Sequence, residues 1–238
     1  MEQNLSKKTR TESDLIGSRE VPESALYGVQ TLRGIENFRI SKFHLNEYPL
    51  FIQALAITKM GAAVANRELD LLTEEQADAI LKACKEILEG KHHDQFPVDM
   101  IQGGAGTTTN MNANEVIANR ALELMGHQRG EYQYCSPNDH VNRSQSTNDA
   151  YPTAIHIGLY YTHLKLVKHF EVLIESFRKK ATEFAHVIKM GRTQLEDAVP
   201  MTLGQTFNGF ASILRHEVKN LDFAAQDFLT VNMGATAI

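Results

Sequence analysis

The chain has 238 residues, a length that allows one large domain or two small ones with a substantial core. Apolar residues make up 42% of the sequence and charged residues 22%, which is ordinary globular usage and excludes disordered and fibrous proteins. The net charge of −5 argues against a nucleic-acid-binding protein, because such proteins normally carry a basic face.

Cysteine usage and hydropathy bear on the cellular compartment in which the protein is expected. The two cysteines, Cys84 and Cys135, are too few for a disulfide framework and lack the spacing of a metal site. The sequence contains neither an apolar signal core at its beginning nor an apolar run of membrane-spanning length. We therefore expect a cytoplasmic protein with no membrane partner.

The first half of the chain predicts irregular structure followed by two helices. Residues 1–47 carry repeated Gly and Pro turn signals and predict irregular or short extended structure. From Pro49 to about Glu68, apolar residues repeat at helical spacing. A Thr-x-x-Gln capping box at Thr73 begins a second helix, which ends at Gly90.

Polar loops separate the remaining predicted helices. The glycine-rich segment QGGAGTTTNMNAN, residues 102–114, is read as a loop before a helix from Glu115 to Met125. The segment SQSTND, residues 144–149, leads into the longest periodic stretch, in which Asn148 or Asp149 is the expected cap and Pro152 lies in the first turn. After GRTQLEDAVP, a second long helix follows.

The two long helices determine the predicted fold class. Each carries an apolar stripe that needs a partner along its whole length. We predict a mainly all-α fold, an oligomeric long-helix bundle with a small N-terminal region of irregular structure and short strands. The predicted domains are residues 1–147, with short helices and the first polar loop, and residues 148–238, the first part of the bundle. Since the last residues carry no helix stop signal, we expect the bundle to continue beyond Ile238.

Three polar loops share one chemistry, namely GTTTN at 106–110, SQSTND at 144–149 and GRTQLED at 191–197. Each could simply cap a helix, as Ser, Thr, Asn and Asp commonly do. A cap needs one side chain, however, and these loops supply several. Hydroxyl and amide groups at helix N-termini can hold a carboxylate or phosphate. Because the sequence lacks a Walker A motif and a dinucleotide fingerprint, the pattern predicts a small anionic ligand.

Other polar residues give weaker signals. His92, His93 and His140 lack the spacing of a metal-ligand set, so we expect no metal and no cofactor. Arg143 and Arg192 flank two of the loops, where they could bind the anion or form structural ion pairs.

Four longer segments carry a family resemblance: GSREVPESALYGVQTLRGIENF, QFPVDMIQGGAGTTTNMNANEVIANRALELMG, PNDHVNRSQSTNDAYPTA and KMGRTQLEDAVPMTLGQ. Through them the chain resembles the aspartase/fumarase superfamily, and within it the aspartate ammonia-lyases, from about Asp14 to its last residue. The resemblance implies a homotetramer built around long helices, with each active site shared between three subunits.

The resemblance also implies a reaction, the reversible conversion of L-aspartate to fumarate and ammonia. A proton is removed from the carbon next to a carboxylate. The resulting aci-carboxylate carries two negative charges and requires preorganised hydrogen-bond donors. Matching motif positions identify the substrate-binding candidates: Thr107, Ser146, Thr147, Asn148, Thr193 and Gln194. The hydroxyls of Thr107, Ser146 and Thr147 would hold the carboxylates. Asn148 and Thr193 would recognise the amino group or the carboxylate next to it.

The choice of substrate depends on few residues. Fumarases of the superfamily have GRTH where this chain has GRTQ, so Gln194 disfavours hydration. Ser136 replaces the histidine of the fumarase His-Pro-Asn-Asp pattern, and Glu196 replaces a usual glutamine beyond the contact residues. A fumarate hydratase or another superfamily lyase is the nearest alternative.

No catalytic base is assigned within the chain. In the family, a serine on a mobile Gly-Ser-Ser loop removes the proton, and the resemblance implies that this loop follows Ile238. A second alternative is therefore that the chain is a non-catalytic helical assembly fragment.

Overall fold

A computed structural model of the chain describes residues 8–235, so the outer ends of the two predicted domains, residues 1–7 and 236–238, lie outside the described residues. The chain forms two compact units. The first runs to Gly158 and includes the segment from Val231, and the second is Leu159–Thr230. The predicted, mainly α-helical class is confirmed. The predicted domain division at residue 147 stays a prediction.

The first unit begins with a hairpin and a short helix. Strand β1, Thr9–Asp14, pairs antiparallel with β2, Gly17–Pro22, in agreement with the short extended structure predicted there. Helix α1, Val29–Asn37, was not predicted. Its first amides are satisfied by buried carboxylates from elsewhere: Glu115 accepts from the amides of residues 28, 30 and 31, and Glu12 accepts from that of residue 29. Such distant partners leave no local sequence signal.

Three helices form the core of the first unit. Helices α2, Pro49–Glu68, and α3, Glu74–Leu88, match their predictions, including the capping box at Thr73. Helix α4, Thr107–Leu124, packs against α3. The core is lined by apolar side chains of these helices, among them Ile52, Leu55, Ile80, Ile117 and Leu122.

The prediction of a loop over residues 107–114 is wrong, because α4 begins at Thr107. The Asn residues of this stretch are buried on the helix, where Asn110 and Asn112 bond to groups of other elements and Asn114 contacts Met111 of the same helix. Asn112, for example, donates from Nδ2 to the carbonyl of Gln95 at 3.0 Å. Polar composition favours a loop only when the polar groups must be solvated, and here tertiary hydrogen bonds replace water.

Helix α5, Thr147–Glu183, is the longest element and runs from the first unit into the second. Within the second unit it is followed by strands β3, Ile188–Thr193, and β4, Glu196–Thr202, which form an antiparallel hairpin where the sequence predicted an interruption. The predicted second long helix is α6, Leu203–Ala224.

Helix α6 packs antiparallel to α5 within the second unit. Phe207 of α6 contacts Phe177 and Phe184 of α5, with ring centroids 6.0 and 5.8 Å apart. Gly204 allows close contact near the hairpin, since an added Cβ would lie 2.4 Å from the carbonyl oxygen of Ala181. Across residues 8–235, none of the helices combines the length and the apolar character that crossing a membrane requires.

Candidate functional site

The segment SQSTND forms the N-terminus of α5. The Ser146 hydroxyl accepts a hydrogen bond from the amide of Asn148 at 3.2 Å, and Asp149 accepts from the amide of Ser146 at 3.1 Å. Ser146 is therefore the capping residue, and the expectation that Asn148 or Asp149 caps the helix is wrong, although Asp149 supplies the reciprocal bond. The Thr147 and Asn148 side chains, at the first helical positions, are left for other contacts.

Pro152 lies in the second turn of α5, one turn later than predicted. Because proline has no amide hydrogen, it leaves the carbonyl of Asn148 without its helical donor. The side-chain amide of Asn232 donates to this carbonyl at 2.8 Å. The start of α5 is thus tied to the later segment of the same unit.

Thr107 lies at the start of α4, after the turn Gly104–Gly106. Gly104, Ala105 and Gly106 have φ values of +73°, +50° and +92°, which is left-handed backbone. Gly106 also packs against the Tyr151 ring, since an added Cβ would lie 2.4 Å from it. This turn presents an exposed Thr107 at a helix N-terminus, where backbone donors favour an anion.

A hydrogen-bond network joins the first two loops. Asn110, one turn after Thr107 on α4, donates from Nδ2 to the Thr147 hydroxyl oxygen at 3.2 Å. Its Oδ1 accepts from the Lys59 Nζ at 2.7 Å. Nζ also donates to Asn142 Oδ1 and Gln145 Oε1, both at 2.9 Å. The network thus joins Asn110, one turn after Thr107, to Thr147, which Ser146 and Asn148 flank, whereas the Thr107 hydroxyl itself donates to the carbonyl of Gly104.

Lys59, which the sequence reasoning missed, is fully buried at the centre of this network. Burial lowers the pKa of its ammonium to about 7. Its sequence signal was a lysine on the buried apolar face of α2, next to positions such as Leu55 and Ala63. A buried lysine needs acceptors, and those acceptors lie in the polar loops.

Thr193 and Gln194 lie in the second unit, at the turn between β3 and β4. Gln194 and Leu195 have φ values of +47° and +71°, so two non-glycine residues form a turn that favours glycine and asparagine. Both predicted site residues are exposed. Arg192 forms an ion pair with Asp197 at 3.0 Å, in agreement with the structural alternative for this arginine.

Left-handed backbone is concentrated in the three polar loops. Of the six non-glycine residues with positive φ among residues 8–235, three belong to these loops, namely Ser144, Gln194 and Leu195, and a fourth, Ala105, directly precedes the first loop. Such conformations each cost on the order of 1–3 kcal/mol and cluster at binding sites. This strain is an independent indication of function in the loops that the composition singled out.

The histidines weighed as metal ligands have protein partners. His92 Nε2 lies 2.9 Å from a Glu86 oxygen, and His93 Nε2 lies 2.8 Å from the carbonyl of Ile87. His140 Nδ1 accepts from the amide of Ser136. Residues 8–235 contain no group of three or more His, Cys, Asp or Glu side chains that could hold a metal ion.

Comparison with known proteins identifies the family. A family model described as "Lyase" matches residues 17–238. The chain belongs to this lyase family. It is 56% identical over 235 residues to an aspartate ammonia-lyase of Escherichia coli strain K12, an alignment that covers 98% of this chain and 49% of the relative.

Solved structures of similar proteins agree with this family assignment. A fumarate lyase:delta crystallin structure from Brucella melitensis has a TM-score of 0.93 and 51% identity, covering 96% of this chain and 53% of that one. A recombinant class II fumarase from Schistosoma mansoni has a TM-score of 0.89 and 36% identity. This match covers 97% of the present chain and 48% of the fumarase chain. The chain thus spans about half the length of the curated relatives it matches.

Proposed function

We propose that the protein is an aspartate ammonia-lyase, which converts L-aspartate reversibly to fumarate and ammonia, and that this chain supplies its substrate-binding loops. The observation that carries the proposal is the grouping of hydroxyl and amide donors at the N-termini of α4 and α5. A dicarboxylate, and the more highly charged aci-carboxylate formed from it, is stabilised by donors that are already oriented.

Each candidate residue has a proposed role. The hydroxyls of Thr107, Ser146 and Thr147 bind substrate carboxylates, with the partial positive charge of the helix N-termini behind them. Asn148 and Thr193 recognise the amino group or the carboxylate next to it. No proton-abstracting residue is assigned in this chain, so its residues bind and orient the substrate.

Gln194 supports ammonia over water as the leaving group. It occupies the position where fumarases of the superfamily have histidine, and its backbone is held in the strained turn of the β3–β4 hairpin. An amide side chain can orient a substrate by hydrogen bonds, but it cannot exchange a proton with water near neutral pH as histidine does. Similarity to an aspartate ammonia-lyase at 56% identity is consistent with this choice.

The proposed assembly is a cytoplasmic homotetramer with sites shared between subunits. Supporting this proposal, the second unit exposes large apolar side chains on both long helices, including Val172, Ile213 and Phe223, which are 69%, 61% and 83% exposed. Apolar surface on this scale indicates an interaction surface, and a second copy of the chain would cover it.

Turnover tests the proposed function. The protein, purified from its own cells, is incubated with L-aspartate or with L-malate, and fumarate is followed by its ultraviolet absorbance. We expect fumarate from L-aspartate only. Fumarate from L-malate alone would establish the fumarate hydratase alternative instead. Dicarboxylate binding without turnover would establish a non-catalytic assembly fragment.

A further inference from the structure

Lys59 occupies a buried site at which every polar hydrogen is used. Its ammonium group has three hydrogens, and these point to the side-chain oxygens of Asn110, Asn142 and Gln145 at 2.7 to 2.9 Å. All three acceptors are neutral amides from α4 and from the loop before α5. The cation therefore faces oxygen dipoles and makes no bond to a carboxylate.

A lysine can only donate, so it fixes which way each amide points. With its oxygen held by Nζ, Asn110 must direct its NH₂ group away from Lys59. One of these hydrogens goes to Asn142 Oδ1 at 3.1 Å and the other to the Thr147 hydroxyl oxygen at 3.2 Å. Thr147 therefore receives a hydrogen bond.

A hydroxyl that accepts a hydrogen bond keeps its own proton for another acceptor. The usual helical acceptor four residues earlier is the Arg143 carbonyl, and it already accepts from Asn66 and Gln145, at 2.9 and 3.1 Å. Among residues 8–235, no acceptor binds the Thr147 proton. The Thr147 hydroxyl can therefore donate to a bound anion at the start of α5, where the proposed function requires a donor.

We propose that Lys59 is a positioning residue of the dicarboxylate site, which sets the direction of the chain of hydrogen bonds from Lys59 to Asn110 to Thr147 so that Thr147 donates to a substrate carboxylate. This inference rests on the proposed function for the identity of the ligand. The amide orientations do not depend on it. Lys59 itself touches no substrate in this arrangement.

The positive charge of Lys59 also favours binding of a dianion at this site. The titratable groups that act on the Lys59 charge are Cys84 of α3 and Asp149 of α5, whereas α4 faces it with the neutral Asn110. Because burial lowers the pKa of Lys59 to about 7, this group titrates near neutral pH. A bound dianion favours the protonated lysine, so affinity for fumarate falls as pH rises above 7, by at most about tenfold per pH unit.

The experiment compares the wild-type protein with Lys59→Met and Lys59→Arg, and uses Lys82→Met, on the exposed face of α3, as the matched control. The fumarate dissociation constant is measured from about pH 6 to about pH 9, across the range in which Lys59 titrates. The side-chain amide NMR signals of Asn110 and Asn142 are followed over the same range. Circular dichroism checks that each variant is folded.

We expect Lys59→Met to weaken fumarate binding at least about tenfold and to remove its pH dependence near 7, and Lys82→Met to change neither. Lys59→Arg should retain part of the binding, since it keeps the charge and the donors. A folded Lys59→Met protein that binds fumarate with wild-type affinity and pH dependence would overturn the inference.

The amide signals keep the test decisive in two further cases. If Lys59→Met does not fold, Lys59→Arg decides: Asn110 and Asn142 amide signals displaced from their wild-type positions support the network, and signals that stay at those positions overturn it. If the wild-type protein neither binds fumarate nor forms it, the proposed function fails, and the displacement of the same amide signals by the Lys59 substitutions still decides whether Lys59 orients these side chains.

Discussion

The side-chain amide of Asn110 on α4 donates to the hydroxyl oxygen of Thr147 on α5 at 3.2 Å. This hydrogen bond connects two residues that are 37 positions apart in the sequence. Asn110 is also an acceptor for the buried Lys59. It thereby couples the core of the first unit to the candidate site at its edge.

Replacing Asn110 with Ala should affect stability and binding together. Lys59 would keep two of its three acceptors, and a buried charged donor without a partner costs about 1–3 kcal/mol in the free energy of unfolding. Urea unfolding and fumarate titration measure the two effects. Asn220→Ala, at an exposed position of α6, is the control that should change neither. Unchanged stability in Asn110→Ala would contradict the network.

The turn before α4 should tolerate no side chain at Gly106. Gly106→Ala would place a Cβ 2.4 Å from the Tyr151 ring, in addition to the cost of left-handed backbone, about 1–2 kcal/mol. Gly90→Ala is the matched control, because Gly90 has φ of +88° but open space around it. We expect a clearly larger loss of unfolding free energy for Gly106→Ala. Equal losses would mean that the Tyr151 contact does not constrain the turn.

Replacing Ser146 should affect both stability and fumarate binding, whereas replacing other capping residues should affect stability alone. Ser146→Ala, Thr73→Ala and Thr202→Ala each remove a helix cap, and each should lower the free energy of unfolding by about 1 kcal/mol. Only Ser146→Ala should also weaken fumarate binding. If all three variants bind fumarate like the wild type, Ser146 is a cap and no more.

Acid sensitivity should depend on Glu86. Its hydrogen bond with Arg120 holds the pKa of the Glu86 carboxyl at about 2, below its ordinary value of 4.5. A lowered native pKa means that the carboxylate stabilises the fold above pH 4.5 and loses this contribution as pH falls from 4.5 towards 2. Glu86→Gln should therefore be less stable at neutral pH and show a flatter acid limb in thermal unfolding. Glu89→Gln, at an exposed position, should reproduce the wild-type profile.

Local signals in the sequence predicted much of the fold. Helices α2 and α3 have regular apolar spacing and, at Thr73, a complete capping box, so periodicity and capping determined them. The start of α4 was missed because its Asn side chains bond to distant groups such as Lys59 and Gln95. Helix α1 was missed for the same reason, since distant carboxylates satisfy its first amides.

The candidate site likewise has residues that the sequence predicted and one, Lys59, that only the structure revealed. The hydroxyls and amides of its loops stood out in the sequence because they exceed what a helix cap needs. Lys59 did not, because a single lysine in an apolar segment acquires meaning only when its acceptors are brought together by folding. Sequence composition can thus locate the surface of such a site, whereas the buried groups that orient it require the structure.

The most direct test of the site is the fumarate dissociation constant of Thr147→Val, which replaces the hydroxyl with a methyl group of similar volume. Thr182→Val, at an exposed position of the same helix, is the control. We expect Thr147→Val to lose at least about tenfold in affinity, as the removal of one hydrogen bond to a charged group requires, and Thr182→Val to match the wild type. Equal fumarate affinity in Thr147→Val and wild-type protein would contradict a dicarboxylate site at the start of α5.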